Sequence, residues 1–250
     1  MDRNVLLIVA AGKSSRFGGF PKAFCKIGDI TNAENTIKQA SKLYEKVYIG
    51  VNQNTYARVC GNINNCEMFK ITTGQGDAHS ILKCLTYIRN KEPDLKKITV
   101  CWGDAVFIDG KPFEQLLEGA TATKVAVACA TDDTPYAWFE TDDNCGIIKS
   151  HFALREGRVE RGVHDQSLFL FDFEFAIQYL NEYRKLLGIP SENDERNADQ
   201  NEMKLLYSFE FLYQSDYEPA KCVEITGGKV FSFNTADELE MIKRKFVAKG

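Results

Sequence analysis

Short apolar segments and amphipathic segments alternate along the first half of the chain. Four apolar runs have the length and composition of buried strands: 5–9, 47–51, 98–102 and 125–129. Thr31 and Glu34 have the spacing of a capping box that opens a helix, and segment 79–89 repeats its apolar residues with a helical period. Strands that alternate with helices predict an α/β fold with a mostly parallel central sheet and right-handed crossovers.

The pattern changes after Thr131. The next strand-like segments are short and separated by turns: 137–141, 146–150, 158–161 and 168–171. They predict a small antiparallel excursion over residues 131–170, laid across the main sheet. Further along, the sequence predicts helices over 174–187 and 202–212, a polar loop over 188–201, a strand over 230–233, and a last helix opened by Thr235 and Glu238. We interpret residues 1–250 as a single domain.

Composition excludes several classes of protein. The 250 residues are 44% hydrophobic and 26% charged, as in ordinary globular proteins, and the net charge of −4 argues against a nucleic-acid partner. No apolar run has the length of a membrane span and no signal peptide opens the chain, so we expect no membrane partner. The eight cysteines lack metal-ligand spacing, and Cys84, Cys101 and Cys129 lie in apolar runs. These thiols predict a reduced core and a cytoplasmic protein.

The strand over 5–9 runs directly into a loop of small residues that is followed by cations. Small side chains let the backbone approach a ligand closely, and the N–H groups of such a turn form a nest for anions. Arg16 and Lys22 follow the turn and supply positive charge for phosphates. The segment therefore predicts a site for a nucleoside triphosphate.

Two common phosphate-binding motifs do not fit this loop. A Walker A motif requires glycine where Leu7 stands, and the dinucleotide fingerprint requires glycine where Ser14 and Phe17 stand. The pattern that remains is A-A-G-x-S-x-R, followed by Pro21-Lys22. It resembles the signature of the nucleotidylyltransferases that act on sugar 1-phosphates, on methylerythritol phosphate and on molybdenum-cofactor precursors.

This resemblance implies a Rossmann-like α/β sheet with the excursion lying over the active site. It implies that the first loop binds the nucleotide through Ala10, Ala11, Gly12, Lys13 and Ser14. It also implies catalytic roles for three residues. Lys22 would stabilise the α-phosphate, Arg16 would hold the β- and γ-phosphates, and Asp104 would bind a metal ion.

The metal implied by the resemblance is Mg²⁺, which takes one or two protein oxygens and completes its shell with water and phosphate. Asp104 follows the strand over 98–102 in a Gly-Asp loop, as the family's metal ligand does. Asn234, just before the last helix, matches the variant of the second ligand that is an amide. A strand-end turn at Asp104 and a helix N-cap at Asn234 are the structural alternatives.

The glycine-rich turn at 73–80 is the segment that reads the nucleobase in this family. The resemblance assigns Gln75, Gly76 and Ser80 to that role. Segments 21–28 and 80–85 resemble the P-K-Q-F-x-x-I-G and S-V-L-x-x-L motifs of the methylerythritol-phosphate cytidylyltransferases, which favours CTP. The H-D-A-A-R-P segment of those enzymes is absent and Ser232 stands where they have a late lysine. UTP is therefore the next candidate.

The acceptor is expected to bind under the excursion, where several cations are candidates for its phosphate group: Lys149, Arg155, Arg158, Arg161 and His164. Each of them is also typical of a solvated surface charge. We take Lys149, Arg158 and Arg161 as the candidate residues for binding the acceptor.

The expected reaction transfers a nucleoside monophosphate from an NTP to a phosphorylated small molecule such as a sugar phosphate and releases pyrophosphate. Precursor synthesis for surface polysaccharides is a typical setting. One alternative is a nucleotide-sugar-dependent glycosyltransferase, although the sequence after Asp104 is not D-x-D. The other is a nucleotide-binding protein without catalytic activity.

Overall fold

The computed structural model describes residues 3–12, 14, 17–59, 63–120, 122–190 and 202–247. The strands, in chain order, are β1 (Val5–Ala10), β2 (Lys26–Ile27), β3 (Ile30–Thr31), β4 (Lys46–Asn52), β5 (Glu67–Ile71), β6 (Lys97–Trp102), β7 (Ala105–Phe107), β8 (Val125–Asp133), β9 (Ala137–Thr141), β10 (Ile147–Phe152), β11 (Arg161–Asp172), β12 (Lys221–Glu224) and β13 (Val230–Ser232). The helices are α1 (Asn32–Ala40), α2 (Gln53–Val59), α3 (Asp77–Arg89), α4 (Lys111–Gly119), α5 (Ala153–Glu156), α6 (Phe173–Leu186), α7 (Leu205–Gln214) and α8 (Ala236–Val247).

A mixed sheet forms the centre of the fold. Its strands β5, β4, β1 and β6 lie side by side and run parallel, with Leu7 opposite Tyr48 and Val100. Strand β11 pairs with β6 on one side and with β8 on the other, both in the antiparallel sense, and β12 runs parallel to β8. The α/β class that the alternating pattern predicts is confirmed.

Helices cover both faces of the sheet. Residues of β1 alternate between two apolar cores, because neighbouring side chains of a strand point to opposite faces. Leu7 belongs to the core that is completed by α3, α6 and α7, whereas Leu6 and Ile8 belong to the core with α1, α2 and α4. The buried thiols of Cys84, Cys101 and Cys129 lie within these cores, as expected from their apolar surroundings, and all described cysteines are free.

The antiparallel excursion differs from the prediction at its end. Strand β9 has the predicted bounds, but the expected strand over 158–161 does not form. Only Arg161 of that segment lies in a strand, at the start of the long strand β11, which also contains the predicted strand over 168–171. The turn that the sequence indicates between them is a bulge between Asp165 and Phe169, where Ser167 has a φ of +58°. Likewise, the helix expected over 202–212 begins only at Leu205.

A small third layer closes the C-terminal part of the described chain. Strands β7 and β13 form a ribbon, and Leu239 and Ile242 of α8 pack in one apolar cluster with Val106 of β7 and with Phe233, which follows β13. The second predicted capping box is present, because the Thr235 N–H donates to the Glu238 carboxylate and the Glu238 N–H donates to Thr235 Oγ1. The predicted loop over 188–201 falls largely outside the described residues. No helix in the described part of the chain has the length and hydropathy needed to cross a membrane.

Candidate active site

The main cavity lies at the carboxyl ends of β1 and β6 and has a volume of about 520 Å³. Open α/β sheets bind their ligands at this edge, and the volume suits a nucleotide-sized molecule. The wall is built from the loop that follows β1, the turn before α3, the loop that follows β6, and side chains from two distant segments. Those side chains include Lys204 and Asn234.

Three predicted residues from three separate segments meet at the cavity wall. Lys22 Nζ lies 2.8 Å from Asp104 Oδ2 and 2.9 Å from Asn234 Oδ1. The Lys22 side chain is 14% exposed and that of Asp104 is 31% exposed, so the pair is partly shielded from water. The sequence separates these residues by up to 212 positions, and the fold brings them within hydrogen-bond distance.

The oxygens of Asp104 and Asn234 converge on one cation, which here is the ammonium of Lys22. A carboxylate and an amide oxygen that already share a positive charge form a donor set that suits Mg²⁺, since this ion needs only one or two protein oxygens. No cluster of three or more histidine, cysteine or acidic residues able to hold a metal occurs among the described residues. The pair therefore fits the expected ion, with Lys22 as its present stand-in.

The first loop is held by a buried asparagine at the end of β4. Asn52 Nδ2 donates to the carbonyls of Ala11 and Gly12, at 3.0 and 3.2 Å, while its Oδ1 accepts the N–H of Thr55. Four of the five residues expected to bind the nucleotide here line the cavity: Ala10, Ala11, Gly12 and Ser14. Lys13, the fifth, and Arg16 lie outside the described residues.

The loop that carries Asp104 is fixed by main-chain contacts and by a second buried asparagine. The N–H of Gly103 donates to the carbonyl of Val9 at 2.9 Å, and a Cβ at Gly103 would lie only 3.0 Å from the side chain of Ala10. Asn32 Nδ2 donates to the carbonyls on both sides of Asp104, at 3.1 and 2.8 Å. These bonds hold Asp104 beside the first loop.

The turn before α3 presents main chain and one hydroxyl to the cavity. Gly76 and Ser80 line it, and the N–H of Ser80 donates to the Gly76 carbonyl. A Cβ at Gly74 would lie 2.4 Å from Ser80 Oγ, so this turn requires glycine. Gln75 does not line the cavity, and its side chain is 1% exposed. The structure thus brings Gly76 and Ser80 to the site and leaves the Gln75 side chain behind the wall.

The expected acceptor cations lie away from the main cavity. Arg158 and Arg161 are exposed, Lys149 is half-buried, and none of the three lines either of the two cavities.

The two tryptophans differ in their position relative to the cavities. Trp102 lines the main cavity and packs against Phe169, whereas Trp138 lines neither cavity and stacks on a histidine of β10.

A second, smaller cavity of about 290 Å³ lies where the excursion meets β13. His164 Nε2 lies 2.8 Å from Asp132 Oδ2 and 3.2 Å from Gln166 Nε2 on its wall. Burial raises the pKa of the Asp165 carboxyl there, and the charge of Asp104 adds to that rise. Ser232 lines this cavity and Asn234 lines the main one, so the two cavities are neighbours.

The sequence also matches the profile of a known protein family. The profile of the MobA-like NTP transferase domain matches residues 6–167, which include β1, the first loop, the turn before α3 and Asp104. The chain belongs to the MobA-like NTP transferase domain family. None of the curated proteins matches the chain significantly.

Solved structures share the fold of this NTP transferase domain over nearly the whole chain. HddC from Yersinia pseudotuberculosis, complexed with GMP-PN, is 13% identical with a TM-score of 0.70 and covers 97% of this chain and 99% of its own. A putative glucose-1-phosphate thymidylyltransferase from Bacillus anthracis is 14% identical, with a TM-score of 0.72 and coverages of 97% and 95%. The inositol-1-phosphate CTP transferase from T. maritima is 12% identical, with a TM-score of 0.67 and coverages of 98% and 97%. At these identities the likeness shows the fold alone.

Sequence reasoning missed several residues that shape the site of this NTP transferase. Asn32 and Asn52 hold the two loops. In the sequence, however, Asn32 looks like an ordinary polar residue at the start of a helix, and Asn52 like one at the end of a strand. Glu202 and Lys204 line the main cavity, although nothing in their local sequence indicates a ligand. Only the fold, which brings distant segments together, reveals these four.

Proposed function

We propose that this protein transfers a nucleoside monophosphate from an NTP to a phosphorylated small molecule and releases pyrophosphate. The convergence of Lys22, Asp104 and Asn234 on the wall of a nucleotide-sized cavity is the observation that carries the proposal. Membership of the NTP transferase family supports the class of reaction. Lys22 supplies positive charge, and Asp104 and Asn234 supply oxygens for a cation. These groups suit phosphoryl chemistry, in which catalysis consists mainly of positioning and charge stabilisation.

The nucleotide would lie across the first loop with its base at the turn before α3. Gly12 and Ser14 line the cavity, and the main-chain N–H groups of this loop would bind phosphate oxygens. Main-chain groups near Gly76 and the hydroxyl of Ser80 would read the base. CTP is the proposed donor and UTP the next candidate, on the resemblance of segments 21–28 and 80–85 to cytidylyltransferases.

Asp104 and Asn234 would hold Mg²⁺, which would supply positive charge to the reacting phosphates. When these oxygens hold a cation, the ammonium of Lys22 is free to turn to the α-phosphate. In that position Lys22 stabilises the negative charge that builds up during transfer. Arg16, with Lys13, is proposed for the β- and γ-phosphates.

The proposed step is an in-line displacement. An ionised phosphate oxygen of the acceptor forms a bond to the α-phosphorus, and the bond from that phosphorus to the bridging oxygen breaks. Pyrophosphate leaves with the electron pair. The nucleophile is already ionised, so no general base is needed. Consistent with this, no histidine of the described residues lines the main cavity, and His79 accepts the N–H of Gln75 in the core.

The acceptor would place its phosphate near Asp104 and its remaining polar groups in the second cavity. Asn234 lines the main cavity and Ser232, two residues earlier, lines the second, so one molecule can contact both. Asp132, His164 and Gln166 provide hydrogen-bonding groups for hydroxyls. A sugar phosphate or a similar polyol phosphate, as used in the synthesis of surface-polysaccharide precursors, is the proposed acceptor class.

Two assays test this function. Thermal unfolding with CTP, UTP, GTP and ATP in the presence of Mg²⁺ is expected to show the largest rise in Tm with CTP, because a ligand that binds only the folded state stabilises it. Pyrophosphate release is then measured with that NTP and a panel of sugar and polyol phosphates, with Asp104→Ala as the inactive control. Absence of any Tm rise, or consumption of nucleotide sugars without pyrophosphate release, contradicts the proposal.

A further inference from the structure

A segment far along the chain forms part of the main cavity wall beside the turn before α3. The N–H of Met203 donates to the carbonyl of Gln75 at 2.7 Å, and the carbonyl of Met203 accepts the N–H of Ala78 at 3.1 Å. The N–H of Leu205 donates to Asp77 Oδ1 at 2.7 Å. Three hydrogen bonds across more than 120 residues of sequence therefore fix this segment to the turn.

The close approach of the two segments depends on Gly76. A Cβ at Gly76 would lie 2.4 Å from the Met203 carbonyl oxygen, and its φ of +123° favours glycine. Met203 and Leu205 are fully buried. The residue between them, Lys204, is only half-buried and lines the cavity. Anchors on both sides thus direct Lys204 to the site.

Asp77 is the side chain that makes this attachment. Its Oδ1 accepts the N–H of Ala78 at 2.7 Å, in the first turn of α3, as well as the N–H of Leu205. One carboxylate oxygen therefore connects the helix that carries Ser80 to the segment that carries Lys204. Loss of this carboxylate frees the backbone next to Lys204 without changing the charge of Lys204 itself.

The charge of Lys204 is available to a substrate. Of the described residues that line the main cavity, the cations are Lys22 and Lys204, and Lys22 is engaged by Asp104 and Asn234. Lys204 Nζ lies 3.2 Å from a carboxylate oxygen of Glu202. The Lys204 side chain is 32% exposed and the Glu202 side chain is 42% exposed. An exposed ion pair of this kind is weak, so a phosphate can take the place of Glu202.

We infer that Lys204 binds a phosphate group of a substrate in the main cavity and that Asp77 acts as the positioning residue that holds it there. The inference rests on the proposed function for the identity of the substrates. An ammonium is a compact charge that binds phosphate oxygens well. The phosphate belongs either to the NTP or to the acceptor, and the two arms of the test distinguish these sources.

The first arm uses ligands alone, and the second uses turnover. Lys204→Ala is expected to lose most of the Tm rise caused by inorganic tripolyphosphate and by NTP if the site holds the NTP. If it holds the acceptor phosphate, the KM for the acceptor rises about tenfold or more while kcat changes little, as for the loss of one charge-assisted hydrogen bond. Lys204→Arg, which keeps the positive charge, is expected to restore the Tm rise in the first arm or the acceptor KM in the second. Lys185→Ala, at an exposed lysine of α6, is the matched control.

A double-mutant comparison tests the role of Asp77. Asp77→Ala, which removes the acceptor oxygen, is expected to change the Tm rise or the KM in the same way as Lys204→Ala, and to have no further effect when Lys204 is already alanine. Effects that simply add would show that Asp77 has a structural role only. Unchanged Tm rises and unchanged KM values in Lys204→Ala overturn the inference. Inactivity of the wild-type protein would contradict the proposed function instead, and the Tm rises caused by tripolyphosphate and by the phosphorylated acceptors would then decide the role of Lys204.

Discussion

Replacement of Lys22 by methionine removes the ammonium and keeps most of the aliphatic side chain. Lys22 Nζ is bonded to Asp104 at 2.8 Å and to Asn234 at 2.9 Å, so it is held in one place before any substrate binds. Loss of one such preorganised charge lowers kcat by about two to three decades. The free energy of unfolding should fall by no more than about 1 kcal/mol, because Asp104 is 31% exposed and water can replace the ammonium.

The contrast between these two magnitudes is what makes the Lys22→Met variant informative. Pyrophosphate release under saturating NTP and acceptor gives kcat, and urea denaturation gives the free energy of unfolding. Lys26→Met, four residues along at an exposed position, is the control and should retain both values.

Two results would refute the reasoning about Lys22. A variant that turns over at the wild-type rate would show that the ammonium does not act on the reacting phosphate. A loss of activity that follows a loss of stability of several kcal/mol would show that Lys22 serves the fold rather than the reaction.

Three further variants test how the structure supports the site. Asn32→Ala removes both hydrogen bonds that hold the loop after β6, so kcat should fall about tenfold or more while NTP-dependent Tm rises persist; an unchanged kcat would contradict its positioning role. Gly50→Ala places a Cβ 2.3 Å from Cys84 Sγ and should cost about 1–3 kcal/mol in urea denaturation, with a smaller cost in a Cys84→Ala background; equal costs would exclude this clash. Backbone hydrogen bonds, first that from Asn234, lower the pKa of Glu238 below its usual 4.5. The ionised carboxylate therefore stabilises the fold above pH 4.5, and this stabilisation is lost as the pH falls through the pKa of the folded state. Glu238→Ala should therefore be about 1 kcal/mol less stable at neutral pH, with a difference that shrinks in acid; a pH-independent difference would contradict the assignment.

Local patterns predicted much of this fold because local physics determines those parts. The buried runs formed strands, and both capping boxes formed where threonine and glutamate stand three residues apart, since that motif needs only its own backbone. The sequence pattern predicts a turn between two strands where β11 has a bulge. Its cause is register with two neighbouring strands, which no local pattern contains.

The site shows the same division between local and long-range information. Lys22 and Asp104 were found because each lies in a motif that resembles a known family. Asn52 and Lys204 were missed, since each acquires its role from a segment that the fold brings to it. The resemblance assigned Gly76 to the nucleobase, and the structure adds that the Met203 carbonyl leaves no room there for a side chain.

The fate of the phosphates of CTP tests the central claim most directly. The protein is incubated with Mg²⁺, with each phosphorylated acceptor of the panel in turn, and with CTP labelled either on the α-phosphate or on the γ-phosphate. The account predicts that the α-label appears in a cytidine-containing product joined to the acceptor, and that the γ-label appears only in pyrophosphate. Transfer of the γ-label to the acceptor, or retention of both labels in CTP with every acceptor and in the parallel UTP experiment, would contradict it.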